Sequence, residues 1–344
     1  MNRDEIAEVH GRSITAAIPT LNEGHSIRRA IAHVLANEYP KELIEILIVD
    51  AGSTDDTVAI CDSFRRQGVN VRVFTRPGCT VYEALNIALQ QASGEFFMRV
   101  DARSYIPANY IRRCIANLDR PKVVATGGVQ RQIGDSPFGR AVARVTSHWL
   151  GVGNASFRLG GTSGVVDTVY LGFYRTQSLR AVGGYDQVGR FLSEDASINA
   201  ELRKRGGDIY LDGTLNVEYP AKETSRALIR QYLIYGAAKA TYFVQRRTLT
   251  SVRQLIPIVV FSTGMGLVVL SFMDNRAAMV LAAALGGYLL LLVGVSIVVK
   301  GKARCTVAVK DLVVAFVVIH LAWPAGFYLR LLLGERALST LLKK

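Results

Sequence analysis

A chain of 344 residues, half of them apolar and one fifth charged, can bury one large α/β core plus an appendage and is too apolar to be disordered. Its formal net charge of +13 would ordinarily point to nucleic acid, but the distribution excludes a basic face on the globular part. Residues 1–220 carry 25 Lys/Arg against 24 Asp/Glu, residues 221–253 carry seven against one, and residues 254–344 carry nine against three. The excess flanks apolar segments, where anionic membrane lipids would meet it, so no nucleic-acid partner is expected. Cys61, Cys79, Cys114 and Cys305 lack metal-ligand spacing and read as reduced thiols of a cytosol-facing protein. The opening MNRDEIAEVHGR has no apolar h-region, so no cleaved signal is expected.

From Ser13 to Pro220, short β-rich runs alternate with longer amphipathic stretches. ITAAIPTL, IEILIVDAGS, VRVFTR, EFFMRVDARS and VVATGGVQRQ read as strands, and VDTVYLGFYRT and DIYLDGTLNVEYP as later ones. Residues 24–37, 54–67, 81–93, 107–118 and 194–206 read as helices. This alternation predicts a doubly wound, mainly parallel α/β sheet over residues 1–220, with ligands gathering at the carboxyl ends of its strands.

Residues 221–253 change character. Leu228, Tyr232, Tyr235 and Tyr242 are interspersed with Arg226, Arg230, Lys239, Arg246 and Arg247, which predicts an amphipathic helix lying among lipid headgroups. Residues 254–344 form a membrane region with three charge-free runs, 254–273, 277–299 and 312–329. The first two have the length for a spanning helix, at roughly 20 residues per bilayer, and are joined by a tight turn at Met273–Arg276. Basic residues on both flanks of this hairpin, Arg246, Arg247 and Arg253 before it and Lys300, Lys302, Arg304 and Lys310 after it, orient both ends towards the cytoplasm. The third run is shorter and contains His320 and Pro324; it reads either as a further span or as a re-entrant or interfacial segment.

Acidic residues mark the strand ends. Pro19, Thr20 and Glu23 close the first strand, where they can present polar groups to a base or ribose. Asp50 ends a buried apolar strand and precedes Gly52 and Ser53, a placement that suits accepting a base N–H. Asp55 and Asp56 instead fit the first turn of the next helix. Asp101 follows EFFMRV, where a hard carboxylate oxygen can face a phosphate through magnesium or manganese. Glu194 and Asp195 open a helix: they are either carboxylates favoured by the helix dipole, or one is a general base and its neighbour holds the backbone.

Taken in order, P-x-L-N-E, V-D-x-G-S-x-D, A-L-N-x-A, D-A-x, G-G-Y-D and E-D across about residues 13–210 resemble the inverting family-two glycosyltransferases. RVDAR with VDTVYLGFYR, SEDASINAELRKRG and RQYLIYG is similar, more narrowly, to succinoglycan-type exopolysaccharide glucosyltransferases, which build repeat units on a polyprenyl carrier. The resemblance implies an α/β fold: a GT-A-like, nucleotide-sugar-binding, doubly wound mixed sheet with a C-terminal α-helical membrane region. It implies that Pro19, Thr20, Glu23 and Asp50 line the nucleotide, that Asp101 lies near diphosphate and metal, and that Asp195 is the catalytic base. It places Arg230, Gln231 and Tyr235, with Glu194, on the acceptor and diphosphate side.

Two departures stand out. Arg103 replaces the second acid of the family's D-x-D element, so the guanidinium can itself neutralise diphosphate. R-Q-Y-L-I-Y stands in for Q-x-x-R-W and lacks its Trp, which argues against a processive synthase. The expected activity is transfer of one sugar, with UDP-glucose as donor, to a polyprenyl-linked glycan at the cytoplasmic face of a multi-pass inner-membrane protein. The alternatives are a polyprenyl-phosphate glycosyltransferase and a non-catalytic nucleotide-sugar-binding membrane subunit.

Overall fold

The computed structural model describes residues 11–185, 194–247, 254–301 and 307–343. These fall into two compact units: one drawn from residues 1–131, 156–187 and 193–220, the other from 132–155 and 221–344. The flanking residues Arg253, Lys302 and Arg304, and Cys305, lie outside the described residues.

The first unit is built on an eight-stranded sheet: β1 (Ile14–Thr20), β2 (Ile44–Asp50), β3 (Val71–Thr75), β4 (Phe96–Arg99), β5 (Val123–Ile133), β6 (Gly164–Val166), β7 (Tyr170–Arg175) and β8 (Asp208–Pro220). Their spatial order is β3-β2-β1-β4-β7-β5-β8-β6. The β1–β2, β2–β3 and β1–β4 pairs are parallel, with the helices Ile27–Leu35, Thr57–Arg66 and Val81–Gln91 as crossovers between successive strands. β2 is buried at every position and β1 at all but Pro19, as expected of strands covered on both faces. The core runs through Ile14, Ile18, Ile31, Ile46, Phe96, Tyr110 and Phe173.

Beyond β4 the parallel ladder ends. β7 inserts between β4 and β5, antiparallel to both, and β6 pairs antiparallel with β8. The sheet is therefore mixed, as the resemblance implied; strand–helix alternation alone suggested a mainly parallel one, because apolar periodicity reports burial and not strand direction. The predicted helices appear at 27–35, 57–66, 81–91, 110–118 and 194–204. Thr80 and Glu83 form a reciprocal capping box at the start of Val81–Gln91. Cys61, Cys79 and Cys114 are free thiols, and burial pushes Cys61 up to about 12.

The second unit is helical. Pro137–Val145 has Pro in its first turn and Ser136 as cap, the Ser136 hydroxyl accepting from Gly139 N at 2.9 Å. Thr224 caps Ser225–Arg246, which buries Leu228, Tyr232, Ala237 and Ala240. This helix packs closely on Val309–Lys343: a Cβ on Gly236 would sit 1.8 Å from the Trp323 carbonyl, and one on Gly326 would sit 2.1 Å from the Leu233 carbonyl. Small residues at a crossing let two backbones touch in this way.

The apolar runs form Leu255–Ser271, Asn275–Gly301 and Val309–Lys343, with the tight turn between the first two as expected. Among the described residues two helices are long and apolar enough to cross a membrane, 275–301 and 309–338; the first run's helix spans 17 residues. The third run is longer than its charge-free stretch because Arg330 does not interrupt it. Its Nε donates to Thr241 at 2.8 Å, and its Nη2 lies 3.5 Å from Glu335.

Candidate active site

The carboxyl ends of β1, β2 and β4 carry the side chains singled out in the sequence. β1 ends at Thr20 and β2 at Asp50, and these two residues are paired in register. Asp50 is buried, and its carboxylate is fully occupied. Oδ2 accepts from Gly52 N at 3.0 Å and Ser53 N at 2.9 Å, and Oδ1 accepts from the Ser53 and Thr20 hydroxyls. In this arrangement Asp50 spends its four acceptor directions shaping the loop after β2.

That loop is stitched to the one after β1. Asn22 N donates to the Ser53 hydroxyl at 2.8 Å, Thr54 N to Asn22 Oδ1 at 2.8 Å, and Glu23 N to the Thr57 hydroxyl at 2.8 Å. Asp55 takes both the Thr57 N–H and Gly24 N, while Asp56, at the cap position, makes no capping bond through its side chain. Glu23 is buried, with Oε2 accepting from Ser26 at 2.8 Å and Oε1 ion-paired to Arg103 at 2.8 Å. Arg103 thus stands where an acid was expected and points its charge at another predicted site residue. Pro19 is half-buried in β1 beside Val49.

The centre of the site is a residue the sequence reading passed over. Arg99 closes β4 behind three fully buried residues, and its side chain is only 9% exposed. Its Nε donates to Asp101 Oδ1 at 3.0 Å, and its Nη1 donates to Asp195 Oδ1 at 3.0 Å and Glu194 Oε2 at 3.3 Å. Asp101 and the Glu194–Asp195 pair, 93 and 94 positions apart in the chain, are thereby joined through one guanidinium. The available signal was a lone arginine inside the apolar run EFFMRV, which a core strand admits only if the charge is paired.

The electrostatics follow from that burial. Burial drives the Asp195 carboxyl up to about 6, Arg99 pulls it back down, and Asp101 and Glu194 add to the rise. Burial works against the charged form of Arg99, but the three acids outweigh it and hold the guanidinium well above its ordinary range. Asp101 Oδ2 receives a long bond from the Tyr170 hydroxyl at 3.4 Å.

The G-G-Y-D element is anchored to the helix of A-L-N-x-A. Asn86 Nδ2 donates to the Tyr185 carbonyl, and Tyr185 N donates to Asn86 Oδ1, both at 2.8 Å. Gly184 allows this with φ +79°; a Cβ there would meet Asn86 Oδ1 at 2.5 Å. Asp186 lies outside the described residues.

Arg230, Gln231 and Tyr235 belong to the second unit. With Lys222, Thr224 and Arg226 they line an open groove of about 530 Å³, in which Gln231 Nε2 donates to the Tyr235 hydroxyl at 2.9 Å.

Residues 15–180 match glycosyl transferase family 2. The chain is 28% identical to the succinoglycan biosynthesis protein ExoA of Rhizobium meliloti, over 96% of this chain and 98% of that one. It is 26% identical to a dolichyl N-acetyl-α-D-glucosaminyl phosphate 3-β-D-2,3-diacetamido-2,3-dideoxy-β-D-glucuronosyltransferase of Methanococcus voltae, over 66% of this chain and 72% of that one. Among solved structures, the mannosyltransferase PcManGT of Pyrobaculum calidifontis, in complex with GDP-Man and Mn2+, superposes with a TM-score of 0.62 at 17% identity. That match covers 92% of this chain and 87% of the other, and it shows that the sheet has the GT-A-like fold. The chain therefore carries a glycosyl transferase family 2 domain over residues 15–180 and is a glycosyltransferase.

Proposed function

We propose that the chain is a membrane-associated inverting transferase that moves glucose from UDP-glucose to a polyprenyl-linked glycan in exopolysaccharide repeat-unit assembly. The observation that carries this reading is the Arg99 node, which joins a donor-side acid, Asp101, to an acid suited to deprotonation, Asp195. The near full-length similarity to a succinoglycan biosynthesis protein supports the pathway class, and the relative named for a dolichyl-linked acceptor supports a lipid-borne glycan.

In this mechanism the nucleotide lies over the β1 and β2 loops, among Pro19, Thr20, Glu23 and Asp50. An acceptor hydroxyl gives its proton to Asp195 as its oxygen bonds to the anomeric carbon from the side opposite the diphosphate. The anomeric C–O bond to the diphosphate breaks, and its electron pair leaves with UDP, so configuration inverts. A carboxyl driven up to about 6 is a stronger base than an ordinary aspartate and is still largely ionised at neutral pH. Arg103, half-exposed beside Glu23, meets the charge developing on the leaving group.

The fold family implies a divalent cation, and hard cations of this kind commonly take one or two carboxylates and complete their shell with substrate phosphates. Among the described residues, no group of three or more His, Cys, Asp or Glu side chains is placed to hold an ion. Asp101 has one oxygen on Arg99 and the other only weakly bonded to Tyr170, which fits a cation shared with the donor's diphosphate. When bound, magnesium or manganese would supply Lewis-acid neutralisation of the departing UDP.

The apolar helices 275–301 and 309–338 and the basic groove around Arg226 and Arg230 support a location at the cytoplasmic membrane face, with anionic lipid or the acceptor's phosphates against the groove. The test is transfer of label from UDP-glucose into butanol-extractable lipid, with polyprenyl diphosphate-galactose or bare polyprenyl phosphate as acceptor, each with and without EDTA. Label on the diphosphate glycan alone supports the reading. Label on bare polyprenyl phosphate makes the enzyme a lipid-phosphate sugar synthase, and no label on either removes the proposed substrates.

A further inference from the structure

We propose that Arg99 is a positioning residue of the transfer reaction: one rigid guanidinium sets the spacing between the donor-side carboxylate Asp101 and the base Asp195. The inference rests on the reading of Asp195 as base and adds to it a residue that sets its geometry.

Three observations carry it. The first is connectivity: Nε holds Asp101 at 3.0 Å while Nη1 holds Asp195 at 3.0 Å and Glu194 at 3.3 Å. The planar fork of arginine presents donors at fixed angles, so fixing one carboxylate on Nε fixes the direction in which Nη1 can hold another. The second is charge. Three carboxylates share one cation, leaving the cluster net negative, whereas an ion pair serving stability alone needs one acid per base. The third is which oxygen is used. Arg99 takes Asp195 Oδ1, and among the described residues Oδ2 has no hydrogen-bond partner, which leaves it for the acceptor's proton.

Glu194 then has a function of its own. It shares Nη1 with Asp195 and so fixes the guanidinium from the same helix turn that presents the base. The anchor of this arrangement is β4, a strand in the middle of the sheet, rather than a loop. A displacement of about 1 Å between reacting groups can cost about a hundredfold in rate, the scale on which such a spacer acts.

The experiment compares wild type, Arg99→Lys, Arg99→Ala and Asp195→Asn, using UDP-glucose and polyprenyl diphosphate-galactose. Each variant is also measured for UDP binding by calorimetry and for thermal unfolding. Arg99→Lys keeps the charge but has a single nitrogen, so kcat is expected to fall about a hundredfold, with the donor KM within about threefold of wild type and unfolding unchanged. Arg99→Ala is expected to lose turnover and to regain part of it with added methylguanidinium. Wild-type kcat in Arg99→Lys with an inactive Asp195→Asn would overturn the positioning role and leave the base reading intact. So would a loss of rate in Arg99→Lys matched by an equal loss of UDP-binding-competent protein. Full activity in Asp195→Asn would overturn both.

Discussion

Asparagine at position 195 should remove turnover and, at neutral pH, make the fold more stable. A carboxyl whose pKa is raised from 3.8 to about 6 binds its proton more tightly folded than unfolded. Between those values the folded state holds more protons, so stability falls as pH rises through the window. The sign is thus opposite to that of an ordinary salt-bridged aspartate. Ionised Asp195 costs the fold about 3 kcal/mol at pH 8, roughly half of that at pH 5 and close to nothing below about pH 3.5, from the difference between the two pKa values. The side chain is 14% exposed, so these figures are upper limits. Asparagine keeps the shape and drops the charge. For a unit of this size the gain corresponds to a rise of roughly 6–12 °C in unfolding temperature at pH 8. The assay is thermal unfolding of Asp195→Asn and wild type at pH 8, 5 and 4, beside glycosyl transfer at pH 8. A variant that is inactive and less stable than wild type at pH 8 would refute the reasoning. So would a stability difference that does not shrink on acidification.

Further outcomes follow from the same geometry. In wild type, kcat/KM should fall about tenfold per unit below pH 6 as the base protonates, read from a pH–rate profile of sugar transfer. Arg103→Ala should raise the donor KM by about tenfold and lower the unfolding temperature, because it leaves the buried Glu23 carboxylate without its cation; donor KM and a thermal melt make the check. Gly236→Ala should destabilise the helical unit by about 1–3 kcal/mol, because the new methyl meets the Trp323 carbonyl. Gly264→Ala, with nothing within 4 Å, should be neutral, and thermal melts of the two proteins in detergent make the comparison.

Much of this was legible in the residues. Strand and helix positions followed from apolar periodicity, and the polar carboxyl ends of β1, β2 and β4 followed from polar residues placed immediately after buried runs. Strand direction was not legible from periodicity, since β7 looks the same in either orientation until its partners are known; the mixed sheet was expected from the family resemblance alone. Asp50 was read as lining the nucleotide; that its oxygens also hold Gly52 and Ser53 is a local competition that sequence spacing does not reveal. Arg103 was read as facing diphosphate; its contact with Glu23 depends on two loops meeting that are 80 residues apart. Arg99 escaped notice because a lone basic residue in a strand has meaning only through its partners. Those partners lie on β4's own exit and on a helix nearly a hundred positions away.

The node at Arg99 also limits how such an enzyme can diverge. Loss of the Arg99 cation would leave Asp101, Glu194 and Asp195 facing one another with unmatched charge, so the effect of exchanging any one of the three acids depends on whether Arg99 is kept, and the four positions are epistatic. New donor or acceptor preferences would then have to arise outside it, for instance in the open groove lined by Arg226, Arg230 and Gln231.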